Sequence, residues 1–189
     1  MASVRRRGDL TRITLDREEA GLLVSLVGQV STMLEADQPP ATPSDSTLEQ
    51  LVAGLDASTE LPQDPILQRL LPDGYRDDPE AAEEFRRLTN SDLRATKLAA
   101  LHQISDDLAD AQAEEVGKKV QVELEDAASE AWLHGINDVR LALGTHLDIR
   151  DEGDAELRAN AVTDDARASY AIYDWLTWLQ ESIVRQLLG

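Results

Sequence analysis

Four stretches of this chain place apolar residues at steps of three and four, and that periodicity dictates a body built from amphipathic helices. The first opens at Asp16, with Glu19 three residues on as an Asp-based capping box, and runs to about Glu35. Its apolar face carries Leu22, Leu23, Leu26, Val30, Met33 and Leu34, and Gly28 weakens its middle. The second is capped at Asn90 or Ser91 and runs to about Asp110, turning Leu93, Leu98, Leu101, Ile104 and Leu108 inward. The third starts at Asp126 or Ser129 and carries a stripe of Trp132, Ile136, Val139, Leu143 and Leu147. The fourth, from about Ser169, presents Ile172, Trp175, Leu176, Leu179, Ile183 and Leu187.

Shorter elements connect these. GDLTRITLD and KKVQVELED alternate with a period of two, sending Thr11, Ile13 and Leu15 to one face and likewise Val120, Val122 and Leu124. A lone strand leaves its backbone unpaired, so the two are expected to pair. DQPPATPSDST is a proline-rich loop, and TLEQLVAGLD reads as a short helix. Asp64-Pro65 opens one or two helical turns that Pro72-Asp73-Gly74 ends, and Asp78-Pro79 starts another helix through Leu88. The expected fold is mainly α: a single-domain helical bundle over residues 1–189 with a two-stranded antiparallel element at about 9–15 and 119–125. Mobile loops are expected at about 37–47 and 150–168.

Charge narrows the partners. The formal net charge is −19, which opposes phosphate binding through counterion release and makes direct nucleic-acid contact a poor reading. The basic start, Arg5, Arg6, Arg7 and Arg12, reads as a frayed terminus or as a partner to the chain's own acids. The chain has no cysteine, so disulfides, thiolate catalysis and Cys-type zinc sites are closed to it. Glu18 and Glu19 interrupt the entry to the apolar run at 20–30, which is also too short to span a bilayer, so the expectation is a cytoplasmic protein without membrane association.

Catalytic signals are weak. No glycine-rich phosphate loop, nucleophile elbow or H-E-x-x-H occurs. His134/Asp138 and His102/Asp106 stand four apart and read as surface pairs in preference to metal ligands. No enzyme activity, cofactor or metal is expected, and a carboxylate-built metal-dependent hydrolase is the third of three readings.

Asn137, Asp138 and Arg140 interrupt an otherwise apolar helix. Either they line a partner groove, or they form a structural network pinning the third long helix to the last. In the second case a buried Arg140 needs a carboxylate or carbonyl partner, for which the last helix offers Asp174 and Glu181. Trp175 and Trp178 share a face of the last helix, and Arg69 and Tyr75 flank Leu70 and Leu71 in RLLPDGYR. The candidate partner-binding residues are therefore Asn137, Asp138, Arg140, Arg69, Tyr75, Trp175 and Trp178.

DPILQRLLPDGYRDD (64–78), AWLHGINDVRLALGTHLDI (131–149) and YDWLTWLQESIVRQLLG (173–189), in that order, resemble an actinobacterial family filed as a domain of unknown function. The resemblance takes in EEAGLLVSLVGQV and nearly the whole chain. It implies a gene neighbouring that of the ClpS adaptor and, for some members, transcriptional regulation. It transfers no catalytic residue, and oxidant sensing through cysteines is unavailable to this chain. The function expected is a non-enzymatic interaction or regulatory protein that binds a protein partner, of the Clp-proteolysis or transcription machinery, and can self-associate as a homodimer. The alternative is a transcriptional regulator acting through a sigma factor, RNA polymerase or DNA.

Overall fold

The structure, a computed structural model, describes residues 2–36, 62–75, 77–113, 119–149 and 163–188. In chain order its elements are β1 (Ser3–Arg7), β2 (Leu10–Asp16), α1 (Arg17–Ala36), α2 (Pro65–Leu70), α3 (Pro79–Ala113), β3 (Lys119–Leu124), α4 (Asp126–His146) and α5 (Asp164–Leu188). The protein is mainly helical with one small antiparallel sheet.

The sheet has three strands, not the two expected, in the order β1-β2-β3. The extra strand is the arginine-rich start, which pairs Arg5 with Arg12 and Val4 with Ile13 across a turn in which Gly8 takes a positive φ of 63°. Three of the four arginines on β1 and β2 have acids beside them. Arg6 ion-pairs with Asp126 at 2.7 Å, and Arg7 and Arg12 both reach Glu123 on β3. The chain's own acids thus answer the basic segment. One face of the sheet enters the core through Thr11, Ile13, Leu15, Val120, Val122 and Leu124, as the alternation predicts.

Local caps fix most helix starts. The Asp16/Glu19 box closes reciprocally, the Glu19 amide donating to Asp16 Oδ1 at 2.9 Å and the Asp16 amide to Glu19 Oε2 at 2.8 Å. The Asp16 carboxyl is held below its ordinary range by that Glu19 amide above all. Asp64 caps α2 ahead of Pro65, and Asp78 caps α3 ahead of Pro79. At its far end α4 stops without glycine. Asp148 takes a φ of 54°, its amide donates to Thr145 O, and the Ile149 amide donates to Gly144 O at 2.8 Å. This is a Schellman arrangement with aspartate in the left-handed position.

Two boundaries differ from expectation. The helices expected at 79–88 and from 90 or 91 are one continuous α3, so Asn90 is a buried mid-helix residue and not a cap. The reason is tertiary. Arg86, Asn90 and Arg94 recur every fourth residue on a buried polar stripe, and both arginines are anchored, Arg86 to Asp73 at 2.5 Å and Arg94 to the Leu34 carbonyl at the end of α1. α5 begins at Asp164, not near 169, so the last five residues of the loop expected at 150–168 are helical. Thr163 caps them through the Ala166 amide, and two acids in the first turn favour the helix dipole. The loop at 37–47, the short helix in TLEQLVAGLD and residues 150–162 lie outside the described residues.

The core forms where α4 lies among α1, α2, α3 and α5, over the inner face of the sheet. Trp132, Ile136 and Val139 of α4 meet Leu23 and Val27 of α1, Leu101 and Ile104 of α3, and Leu176 and Leu179 of α5 in one apolar cluster. Every one of these side chains is fully or almost fully removed from water. Burial of that kind contributes about 25 cal/mol per Å² of apolar surface, which is the main force holding the helices together.

Candidate functional site

The polar residues of α4 do not form one line. Successive helical residues are about 100° apart, so Asp138 and its neighbours Asn137 and Arg140 face different helices. Asp138 turns to α3 and accepts a hydrogen bond from Lys97 Nζ at 2.7 Å, both side chains largely out of water. Burial pushes its carboxyl above the ordinary value, and the Lys97 ammonium pulls the other way. On the same seam Trp132, with no exposed surface, donates from Nε1 to Asp107 Oδ2 at 2.7 Å. A Cβ at Gly135 would lie 2.6 Å from Ile104 Cδ1 and 3.3 Å from the Ala100 carbonyl oxygen, so this glycine is what lets α3 and α4 approach. Asp138 is therefore a structural residue and no part of an exposed groove.

Asn137 and Arg140 turn the other way, to α5. Gln180 Nε2 donates to Asn137 Oδ1 at 3.2 Å. Arg140 meets an aromatic ring and not the expected Asp174 or Glu181 carboxylate: its guanidinium carbon lies 5.9 Å from the centroid of Tyr173. Gly144 makes room for that ring, since a Cβ there would stand 3.1 Å from Tyr173 Cε2. Among the described residues Arg140 Nε, Gln180 Oε1 and Trp175 Nε1 are buried without a hydrogen-bond partner. Unpaired buried polar atoms carry a desolvation cost, so this seam is less completely satisfied than the other. Beside it lies an open groove of about 430 Å³, lined by Arg140, Thr177, Gln180, Glu181, Val184 and Arg185. Trp175 is half-buried against the core, whereas Trp178 is 37% exposed on the outer side of α5.

The remaining candidates sit at the other end of the molecule, where α2 leads into α3. Leu70 and Leu71 are buried, so they are core and not the surface anchors that the RLLPDGYR pattern suggests. Arg69 is exposed. Tyr75 is 53% exposed and packs edge-to-face on Phe85, with ring centroids 6.1 Å apart. Leu88, one turn beyond Phe85, is 57% exposed, so Tyr75, Phe85 and Leu88 make a small apolar patch. Sequence reasoning missed Leu88, Lys97, Gln180 and Gly135. Lys97 had a signal: it stands between Leu93 and Leu101 at steps of four, a cation on an apolar stripe.

Among the described residues no three His, Cys, Asp or Glu side chains converge as metal ligands. In each of the two helical pairs singled out in the sequence one member is engaged by another helix, although the His134 charge still acts on Asp138. His102 Nε2 stands 3.4 Å from Glu35 on α1, and Asp138 bonds to Lys97. No helix among the described residues is long and apolar enough to cross a membrane.

The chain is 34% identical to the oxidative stress regulator AosR of Mycobacterium tuberculosis over a 197-residue alignment covering 97% of this chain and 85% of that protein. The same figures hold for the AosR of Mycobacterium bovis. A relative in Mycobacterium leprae is 30% identical over 192 residues, covering 96% of this chain and 84% of its own. No solved structure matches. Residues 1–187 match the family described as Domain of unknown function (DUF2017), and the chain belongs to that family.

Proposed function

We propose that this protein is a non-enzymatic regulator that acts by docking on a protein partner through the patch of Tyr75, Phe85 and Leu88. The observation that carries the reading is that Tyr75 and Leu88 are each more than half exposed, beside the half-buried Phe85, where α2 leads into α3. Arg69 and Arg87 lie in the same segments as Asp77, Asp78 and Glu84, which supplies the mixed charged rim of an interface around an apolar centre. The partner expected is basic at its contact surface, because a net charge of −19 speeds encounter with such a surface. The mycobacterial relatives named oxidative stress regulators favour a regulatory role. The family resemblance points to the transcription or Clp-proteolysis machinery as the place to look. Within transcription, a sigma factor or polymerase suits the charge better than DNA, since Arg6, Arg7 and Arg12 are engaged by Asp126 and Glu123. The stress signal reaches this chain by some route other than a thiol, for there is none.

A photocrosslinking residue at position 88, expressed in the native host, tests the proposal. A discrete adduct with a transcription or proteolysis component is expected. The same residue at position 102, roughly 21 Å further along α3 by helical rise, should give none. Equal adducts from both positions, or an adduct at 88 that Tyr75→Ala leaves undiminished, would remove the patch from the function.

A further inference from the structure

The outer side of α5 carries a pattern that neither its own fold nor the proposed docking patch uses. Its buried stripe is Leu176, Leu179 and Ile183. On the opposite side, Trp178, Glu181, Arg185 and Leu188 are all exposed. Their spacing is three, four, three, which is the seam spacing of a two-helix coiled coil. Two of the four exposed large hydrophobics among the described residues, Trp178 at 37% and Leu188 at 84%, lie on this one line.

We infer that this stripe is covered by the same stripe of a second copy of the chain, the two α5 helices running antiparallel about a twofold axis near residue 183. The order of the four residues is self-complementary in that direction and in no other. Antiparallel pairing about 183 sets Glu181 opposite Arg185 of the second copy, twice by symmetry, and Trp178 opposite Leu188, again twice. Two opposite-charge layers then sit at the centre and two apolar layers close the ends. A parallel arrangement would put Glu181 on Glu181 and Arg185 on Arg185, two like-charge layers in a seam that excludes water, which is costly. The isologous contact also closes on itself, so it makes a dimer and not a filament.

The side chains are placed for this. Arg185 is held along the helix by Nε to the Glu181 carbonyl at 3.2 Å and by Nη2 to Ser182 Oγ at 3.2 Å, which lowers the entropy lost when it takes a partner. Glu181 has no ion-pair partner among the described residues. The same two residues also line the groove beside Arg140, so the contact would extend from the seam toward α4. Four layers span only roughly 15 Å of helix, so the dimer is weak and depends on concentration.

The test is a set of charge swaps read by sedimentation equilibrium over a wide concentration range. The wild-type mass should climb from 20.8 kDa toward twice that value. Glu181→Arg alone and Arg185→Glu alone should each remain monomeric, with unchanged circular dichroism because both positions are exposed. An equimolar mixture of the two single variants should associate, since one chain then offers two cations and the other two anions at facing positions. The double swap Glu181→Arg/Arg185→Glu should dimerise like the wild type. A wild type that stays monomeric at every concentration overturns the inference, as does undiminished dimerisation of either single variant or a mixture that fails to associate. None of these outcomes bears on crosslinking at position 88, so the dimer and the docking patch stand or fall separately.

Discussion

Helix α4 has two seams, and they are built to different standards. Against α3 it is close and satisfied: Gly135 admits the backbone of α3, Lys97 answers Asp138, and Asp107 takes the Trp132 indole. Against α5 it is looser. A tyrosine ring faces Arg140 where a carboxylate would bind more strongly, a single side-chain bond joins Asn137 to Gln180, and three of the five buried unpartnered side-chain atoms among the described residues lie here. The two seams share one helix, so the difference is a property of what each neighbour supplies. The lesson is that α3 and α4 are joined by the more completely satisfied seam, while α5 meets the rest through its apolar stripe and, near its end, through the bond from the Arg6 amide to Gln186 Oε1. On the outward side of α5 charge and apolar surface stay exposed, and the proposed dimer rests on that surface.

Breaking the tight seam should cost most. Lys97→Met strands the Asp138 carboxylate in a nearly dry site, and denaturant titration should show a loss of about 3 kcal/mol. The same pair gives a pH signature. A carboxyl whose folded pKa lies above its unfolded value adds stability while protonated and loses it as pH rises through the folded value. Asp138 is of that kind, raised by burial, so the wild type should gain stability relative to Asp138→Asn as pH falls from neutral into the range just above ordinary carboxylates. A stability difference that does not move with pH would show Lys97 fully offsetting the burial. The Asp16 cap runs oppositely: its lowered carboxyl contributes above the ordinary value and loses that contribution as pH drops further.

Smaller effects sharpen the contrast. Gly135→Ala should lose about 1–2 kcal/mol, because Ile104 can swing its methyl away but the Ala100 carbonyl belongs to the backbone. Arg140→Ala, on the loose seam, should lose only about 1 kcal/mol of ring and stem contact. Gly144→Ala should lie within about 0.5 kcal/mol of neutral, since the Tyr173 ring can shift and alanine favours the helix. Thermal melts of the two alanine variants side by side decide it: a Gly144 variant as damaged as the Gly135 variant would make the seams equivalent.

Much of this was legible in advance. The Asp16/Glu19 box, the Asp64-Pro65 and Asp78-Pro79 starts, and the inward residues of both strands follow from local chemistry and appear where the sequence puts them. Of the α4 stripe, Trp132, Ile136 and Val139 are buried as its spacing requires, while Leu143 and Leu147 toward the helix end are only half-buried. The pairing of β2 with β3 also follows from the sequence, but most other inferences that needed a second element failed. Asn90 has the chemistry of a cap but sits between two anchored arginines, so α3 runs on. The basic start reads as a frayed terminus or as a partner to the chain's own acids; the second holds, but that it forms a strand is not visible locally, because the acids it meets lie more than a hundred residues away. Arg140 looked bound for an acid, and only the way α5 is rotated brings Tyr173 to it instead.

The sequence by itself determined the four long amphipathic helices and the two inner strands, most of the faces they bury and the absence of cysteine chemistry, because periodicity, caps and composition act within a few residues. Only the tertiary structure decided how the polar residues of α4 divide between two neighbours and which side of α5 remains in water. Those outcomes depend on the rotation and spacing of packed helices, which are set by many distant contacts at once and by no local pattern.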